Sequence, residues 1–140
     1  METFDFNLVS PEKSLASLPA NSVMLPGTEG DLTAMAGHMP LITALRPGIL
    51  KVVDETGEKE FVVSGGFAEI GAGVTVLAEK AVLKSEFSQA FFQEIFNEAE
   101  TLCSELREGS SMEPSGLDDA KKVIADLEHL GKEMGLEIPN

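Results

Sequence analysis

Gly48-Ile-Leu-Lys-Val-Val53 and Lys59-Glu-Phe-Val-Val63, separated by Asp54-Glu-Thr-Gly-Glu58, form the stretch that decides the fold. Two runs rich in β-branched residues flank a polar, Gly-containing loop of hairpin length, the pattern of antiparallel strands joined by a short turn. Outward from this hairpin, Gly and Pro punctuate the chain at Pro11, Pro19, Pro26-Gly27, Gly30, Gly37, Pro40, Pro47-Gly48, Gly65-Gly66, Gly71 and Gly73. The segments between them are short and apolar, as strands require. Phe4, Phe6 and Leu8 alternate with Asp5 and Asn7, giving an opening strand one apolar face. Further strands are expected at Val23 to Leu25, Leu41 to Leu45, Phe67 to Ile70 and Val74 to Ala78. Residues 1–85 therefore read as an all-β sandwich domain of about ten strands in two sheets.

From Ser85 the period changes. Phe92, Ile95, Ala99, Leu102 and Leu106 recur at helical spacing, and Leu117, Ala120, Ile124 and Leu127 repeat it through Gly131 to Met134. Residues 86–140 are expected to form an antiparallel two-helix hairpin with its turn at 109–116, where Ser115 and Asp118 make a weak capping box. Gly131 on the stripe would admit the partner backbone. Phe87, Phe91 and Phe96 lie beside the stripe, which leads to the expectation that the first helix also docks on the sandwich.

The chain has 140 residues and a net charge of −14, with no Trp or Tyr and one cysteine, Cys103. Such a charge repels nucleic-acid phosphates and anionic headgroups, so neither nucleic acid nor direct lipid insertion is expected. No apolar run reaches the ~18 residues of a membrane span, and the first residues lack a signal-peptide pattern. A single cysteine excludes an internal disulfide and a multi-cysteine metal site.

Chemistry-bearing motifs are few. His38 and His129 are the only histidines, no metal-ligand spacing appears, and no cofactor is expected. Ser64 in Val62-Val-Ser-Gly-Gly66 resembles a nucleophile elbow, but Val62 stands where a glycine belongs, and a turn is the better reading. Gly71-Ala-Gly73 lacks the third glycine of a dinucleotide site. Glu29 and Asp31 could serve as a general acid and base pair, or as solvated loop charge. Cys103 reads as a packing residue and His129 as a surface residue. His38, in a Gly-His-Met-Pro turn, reads equally as a partner contact or a structural turn residue. No catalytic residue is assigned. From the residues alone, two readings stay open: a β-sandwich adaptor with a helical docking arm, and a small carboxylate hydrolase.

Six segments in order carry a resemblance: Val9-Ser-Pro-Glu12, Leu25-Pro-Gly-Thr-Glu-Gly-Asp31, Gly37-His-Met-Pro-Leu41, Leu45-Arg-Pro-Gly48, Val63-Ser-Gly-Gly-Phe-Ala-Glu-Ile70 and Val74-Thr-Val-Leu-Ala78. Together they resemble the epsilon subunit of bacterial F-type ATP synthases, whose fold is a ten-stranded sandwich followed by a helical hairpin. The resemblance implies a non-catalytic central-stalk subunit of the rotor, joining the gamma subunit to the c-ring and coupling proton-driven rotation to ATP synthesis. It would be peripheral, on the cytoplasmic face of the bacterial inner membrane. The implied c-ring-facing loop holds Glu29, Gly30 and Asp31. The implied stalk interface holds His38, Met39, Pro40 and Leu41, on an apolar face meeting gamma. Through the hairpin, the alpha/beta head is a further implied partner. Family members that sense ATP carry an Arg-Ala element at the start of the first helix, and Ser85-Glu-Phe-Ser-Gln-Ala-Phe-Phe92 has no arginine. Members that inhibit ATP hydrolysis present basic side chains to an acidic segment of the beta subunit, whereas Ser88 to Asn140 holds four basic and twelve acidic residues, a net charge of −8. The hairpin is therefore expected to be a weak or absent inhibitor.

Overall fold

In a computed structural model, which describes residues 3–108 and 114–138, the Gly and Pro punctuation resolves into ten strands. These are β1 (Phe4–Val9), β2 (Ser14–Ala20), β3 (Ser22–Gly27), β4 (Gly30–Met35), β5 (Leu41–Leu45), β6 (Gly48–Asp54), β7 (Gly57–Val63), β8 (Gly66–Ile70), β9 (Val74–Ala78) and β10 (Ala81–Leu83). A single 3-10 turn, Lys84–Glu86, precedes α1 (Gln89–Glu108) and α2 (Pro114–Glu133). Two compact units divide after Glu86.

In the first unit, hydrogen bonding runs through the order β10-β7-β6-β3-β5-β8-β9-β1-β2, with β4 paired to β3. The expected two sheets are thus two layers of one folded ladder. β3 makes the crossing: Ser22, Val23 and Met24 pair with β6, while Gly27 pairs with Leu45 of β5. Among the described residues, every pairing is antiparallel except β1 with β9. Alternation sends Phe4, Phe6, Leu8, Val23, Leu25, Leu50, Val52, Phe61, Val63, Ala68, Ile70, Val74 and Val76 into one buried core. Phe6, Leu8, Leu25 and Leu50 are wholly removed from water, and each such burial is worth roughly 1.5–3 kcal/mol.

The deciding hairpin is tighter than its sequence suggests. Asp54 pairs with Gly57, leaving only Glu55 and Thr56 as the turn, because Gly57 takes φ +131° and Asp54 caps the bend. Strands β2, β4 and β10 lie outside the expected set. β2 carries Pro19 and pairs only with β1, an edge position where a missing N–H is tolerated. β4 buries one residue, Ala34, and β10 has three residues, so neither shows a usable period.

In the second unit, Ser88 caps α1, its hydroxyl accepting from the Phe91 N–H at 3.2 Å. Phe92, Ile95, Phe96 and Cys103 are buried, whereas Leu102 is 52% exposed. The stripe therefore runs through Cys103 and not Leu102: at 3.6 residues per turn, Cys103 falls about 20° from Phe92 and Leu102 about 80° away. Phe87, Phe91, Phe92 and Phe96 pack together with ring centroids 5.6 to 6.1 Å apart. On α2, Ala120, Leu127 and Leu130 are buried. α2 begins at Pro114, so the last three residues of the turn expected at 109–116 belong to its first turn, and the expected cap Ser115 is among the residues whose side chains lie outside the described set. Residues 109–113 and the side chains of Leu106, Leu117 and Asp118 lie outside the described set.

Gly131 admits a ring rather than a backbone. A Cβ there would stand 2.5 Å from Phe92 Cζ and 2.7 Å from Ile138 Cδ1. Past α2 the chain reverses at Gly135, φ +74°, where the Leu136 N–H reaches Gly131 O at 2.8 Å and the Gly135 N–H reaches Lys132 O at 3.1 Å. The tail then returns to α1: Gln89 Nε2 donates to Glu137 O at 2.9 Å, and the Glu137 N–H donates to Gln89 Oε1 at 3.0 Å. One side-chain amide closes the hairpin at its open end.

Candidate functional site

The sequence singles out two turns, and the sandwich sends them to opposite ends. Glu29 sits at the apex of a two-residue turn, Thr28-Glu29, while Gly30 and Asp31 already belong to β4, paired with Gly27 and Pro26. The expected loop is thus a turn plus the first residues of a strand. His38, Met39 and Pro40 follow the far end of β4, roughly 17 Å away at ~3.4 Å per strand residue. Leu41 opens β5.

At the Glu29 end, Arg46 gathers three segments. Its Nη1 donates to Gly27 O at 2.6 Å, its Nη2 donates to Asp31 Oδ1, and its main-chain N–H donates to Pro26 O at 2.9 Å. The turn after β7 lies at the same end of the sandwich. There the Ser64 N–H donates to Lys80 O at 3.0 Å, and Ser64 Oγ accepts the Lys80 N–H at 3.1 Å. That hydroxyl ties two strand connections, which is the turn reading of Val62-Val-Ser-Gly-Gly66.

At the other end, the imidazole of half-buried His38 shares a hydrogen with Met39 O, Nδ1 to O 2.7 Å, and its main-chain N–H donates to Met35 O at 3.0 Å. Met39 is 78% exposed. The hairpin tip Glu55-Thr56 shares this end. Both the hydroxyl and the N–H of Thr56 donate to Asp54 Oδ1, at 2.6 and 2.8 Å, and with Lys59 3.9 Å from Oδ2 they hold the Asp54 carboxyl below its ordinary value of 3.8. A carboxyl depressed on folding contributes stability above its unfolded value and loses it as pH falls through the folded value. Urea midpoints at pH 7 and at about pH 3 should therefore fall less on acidification in Asp54→Asn than in the parent chain. Parallel pH profiles would refute this linkage.

Between the two ends lies the feature that sequence reasoning missed. In register, Ala44 of β5, Phe67 of β8, Leu77 of β9 and Val9 of β1 form one row on the outward face of four strands. Ile42 stands two residues from Ala44 on the same face. Ile42 is 71%, Phe67 59% and Leu77 58% exposed, although the alternate residues Ala68 and Val76 are wholly buried. A groove of about 350 Å³ opens beside Phe67 and Leu77, with Val9, Pro11 and Glu79 along it. Alternation puts Ile42 on this apolar face and Leu41, itself 43% exposed, on the side of Thr43 and Leu45. A signal was available: Phe67 shares its strand face with Glu69, and Ala68 shares the other with Ile70, so the aromatic must be the outward residue.

The family described as ATP synthase, Delta/Epsilon chain, beta-sandwich domain, matches residues 3–84, the first compact unit almost in full. The ATP synthase epsilon chain of Ruegeria sp. strain TM1040 is 49% identical over 136 residues, 96% of this chain and 98% of that one. That of Rhodobacter capsulatus is 48% identical over the same length, with the same shares covered. The chain belongs to the ATP synthase epsilon chain family. Two solved structures share the fold. A chain of the Euglena gracilis mitochondrial ATP synthase (OSCP/F1/c-ring, rotational state 1) superimposes with a TM-score of 0.66 at 24% identity, over 94% of this chain and 81% of that one. A chain of the Tetrahymena thermophila mitochondrial ATP synthase, central stalk/c-ring, gives 0.62 at 15% identity over 95% and 97%. Epsilon chains are subunits of an enzyme complex, and the relatives span the helical hairpin as well as the sandwich. Among the described residues no helix is long and apolar enough to cross a membrane.

Proposed function

We propose that this epsilon chain is a non-catalytic central-stalk subunit of the rotor, seated between the gamma subunit and the c-ring and carrying ion-driven rotation toward ATP synthesis. The observation that supports it is the outward apolar row Ala44, Phe67, Leu77 and Val9 with Ile42 beside it, in which Phe67, Leu77 and Ile42 are exposed in the isolated chain and Ala44 and Val9 are half-buried. Contiguous exposed apolar surface on a rigid sheet marks a protein interface. Gamma is the partner proposed for that face, with His38, Met39, Pro40 and Leu41 at its margin, and the c-ring is proposed for the turn holding Glu29, Gly30 and Asp31. A packed sandwich suits such a role because interlocked strands deform little under load. Attachment through gamma and the ring puts the chain at the cytoplasmic face of the bacterial inner membrane without lipid contact of its own.

The helical hairpin is proposed to be a weak or absent inhibitor of ATP hydrolysis, supported by its net charge of −8. An acidic arm meeting an acidic segment is repelled. One preparation tests both statements. Purification of the detergent-solubilised ATP synthase through a tag on this chain should recover gamma in stoichiometric amount, and recovery of the free chain alone would overturn the rotor reading. In the same complex, truncation after Glu86 should change the rate of ATP hydrolysis by less than about twofold. A sharp rise would show that the hairpin is a brake.

A further inference from the structure

Past Leu127, α2 has little apolar surface with which to stay packed. Leu130 is the one buried apolar side chain among its remaining residues, and the buried Gly131 brings no side chain at all. Gly131 is instead a notch, filled from α1 by the Phe92 ring and from the tail by Ile138. The tail reaches that notch because the chain reverses at Gly135, where the Leu136 N–H returns to Gly131 O at 2.8 Å. One residue on, Glu137 meets Gln89 twice: its N–H donates to Oε1 at 3.0 Å, and its carbonyl accepts from Nε2 at 2.9 Å. A glutamine amide carries a donor and an acceptor side by side, as a peptide unit does, so Gln89 pairs the tail as a neighbouring strand would. It does so from a fixed base, since it opens α1 directly after the cap Ser88.

We infer that residues 135–138 form a strap that latches the end of α2 to the start of α1, and that the last turns of α2 leave α1 only when the Gln89 amide lets Glu137 go. The strap is poised rather than locked. Gln89 and Glu137 are both exposed, so water competes for the two bonds, and Leu136 and Ile138 are only half-buried. Its contacts nevertheless act together, because Leu136, Glu137 and Ile138 follow one another and freeing one gives slack to the other two. Local opening of this kind starts where few buried apolar contacts oppose it, and the far end of α2 is such a place. Both bonds join neutral groups. The latch therefore holds or opens independently of the hairpin's acidic charge and of what that charge does to ATP hydrolysis.

Residue-resolved amide hydrogen exchange of the full chain tests the latch. Gln89→Met keeps the length of the side chain and removes donor and acceptor together. Exchange at Leu136 and Glu137 should quicken, and exchange from Leu130 to Met134 should quicken with it by about three- to thirtyfold, the range for one or two lost hydrogen bonds. Phe6 and Leu50 in the sandwich core should keep the parent rates. Ile138→Ala, which empties the other side of the Gly131 notch, should quicken the same amides as Gln89→Met. Since the strap is one device, the double variant should exchange more slowly than the product of the two single effects. Quickening confined to 136–138 would reduce the tail to a tether that α2 does not feel, and would overturn the inference. Parent rates at Glu137 in Gln89→Met would show that the amide does not hold the tail, with the same result. Effects that multiply in the double variant would mean two separate contacts and no latch. A glutamine that merely stabilised the first turn of α1 would quicken Phe92 to Cys103 and leave Leu130 to Met134 unchanged.

Discussion

Phe67→Glu is expected to abolish recovery of the gamma subunit with this chain while leaving the chain folded. The side chain is 59% exposed, and its neighbours Ala68 and Val76 hold the core without it, so the isolated variant should unfold within about 1 kcal/mol of the parent. Docking is a different matter. Burial of Phe67 at an interface is worth up to about 1.5–3 kcal/mol, and burial of an unpaired carboxylate there costs several kcal/mol more. At about 1.4 kcal/mol per decade the affinity should fall by at least a thousandfold. Leu77→Glu, directly across the ladder from Phe67, should behave alike. Met24→Glu is the control, because Met24 is exposed on the β3–β6 face, where it pairs with Lys51. Copurification of gamma with Phe67→Glu at the parent level, measured alongside matching circular dichroism and urea midpoints, would refute the assignment of this face.

The second large effect is on the fold. Gly66→Ala should cost the isolated chain at least about 3–5 kcal/mol, a third or more of a typical domain's stability. Gly66 has φ +136°, and an added Cβ would lie 2.1 Å from Leu77 O and 2.9 Å from Ala78 Cα. Both obstacles are backbone atoms of the neighbouring strand, so no rotamer change relieves them. Relief requires β8 to part from β9 where Gly66 pairs with Ala78, and each ladder hydrogen bond lost adds roughly 0.5–1.5 kcal/mol. Gly30→Ala separates the two causes. It has a similar φ, +133°, with open space around it, and should show only the backbone strain of about 1–3 kcal/mol. Equal urea midpoints for the two variants would contradict the steric argument.

Most of the architecture was legible in the chain because it is encoded by short periods. The alternation of Phe4, Phe6 and Leu8, the two runs flanking Asp54 to Glu58, and the 3,4 spacing after Ser85 each lie within a dozen residues, where the pleat or the helical turn alone decides which side chains share a face. Edge strands escaped that reading. β2 and β4 each have only one neighbouring strand, so neither needs the apolar alternation that a core strand must show.

The candidate site was legible only as segments. Leu45-Arg-Pro-Gly48 and the turn after Leu25-Pro-Gly27 could be quoted from the sequence, but that Arg46 reaches across to both feet of that turn follows from Gly27 pairing with Leu45. Leu102 and Cys103 exchanged places for a related reason: the strict 3,4 spacing drifts against 3.6 residues per turn, and the packed partner chooses the centre of the stripe. That a β-sandwich precedes two helices, and that the segments belong to the epsilon family, could be read from the order of residues with no fold in view. That Ala44, Phe67, Leu77 and Val9 form one row, and that the turns bearing Glu29 and His38 lie at opposite ends of the sandwich, came only with the folded chain. Local period fixes which residues share a face of one strand, whereas strand order and register, set by contacts between residues far apart in the chain, fix which faces adjoin.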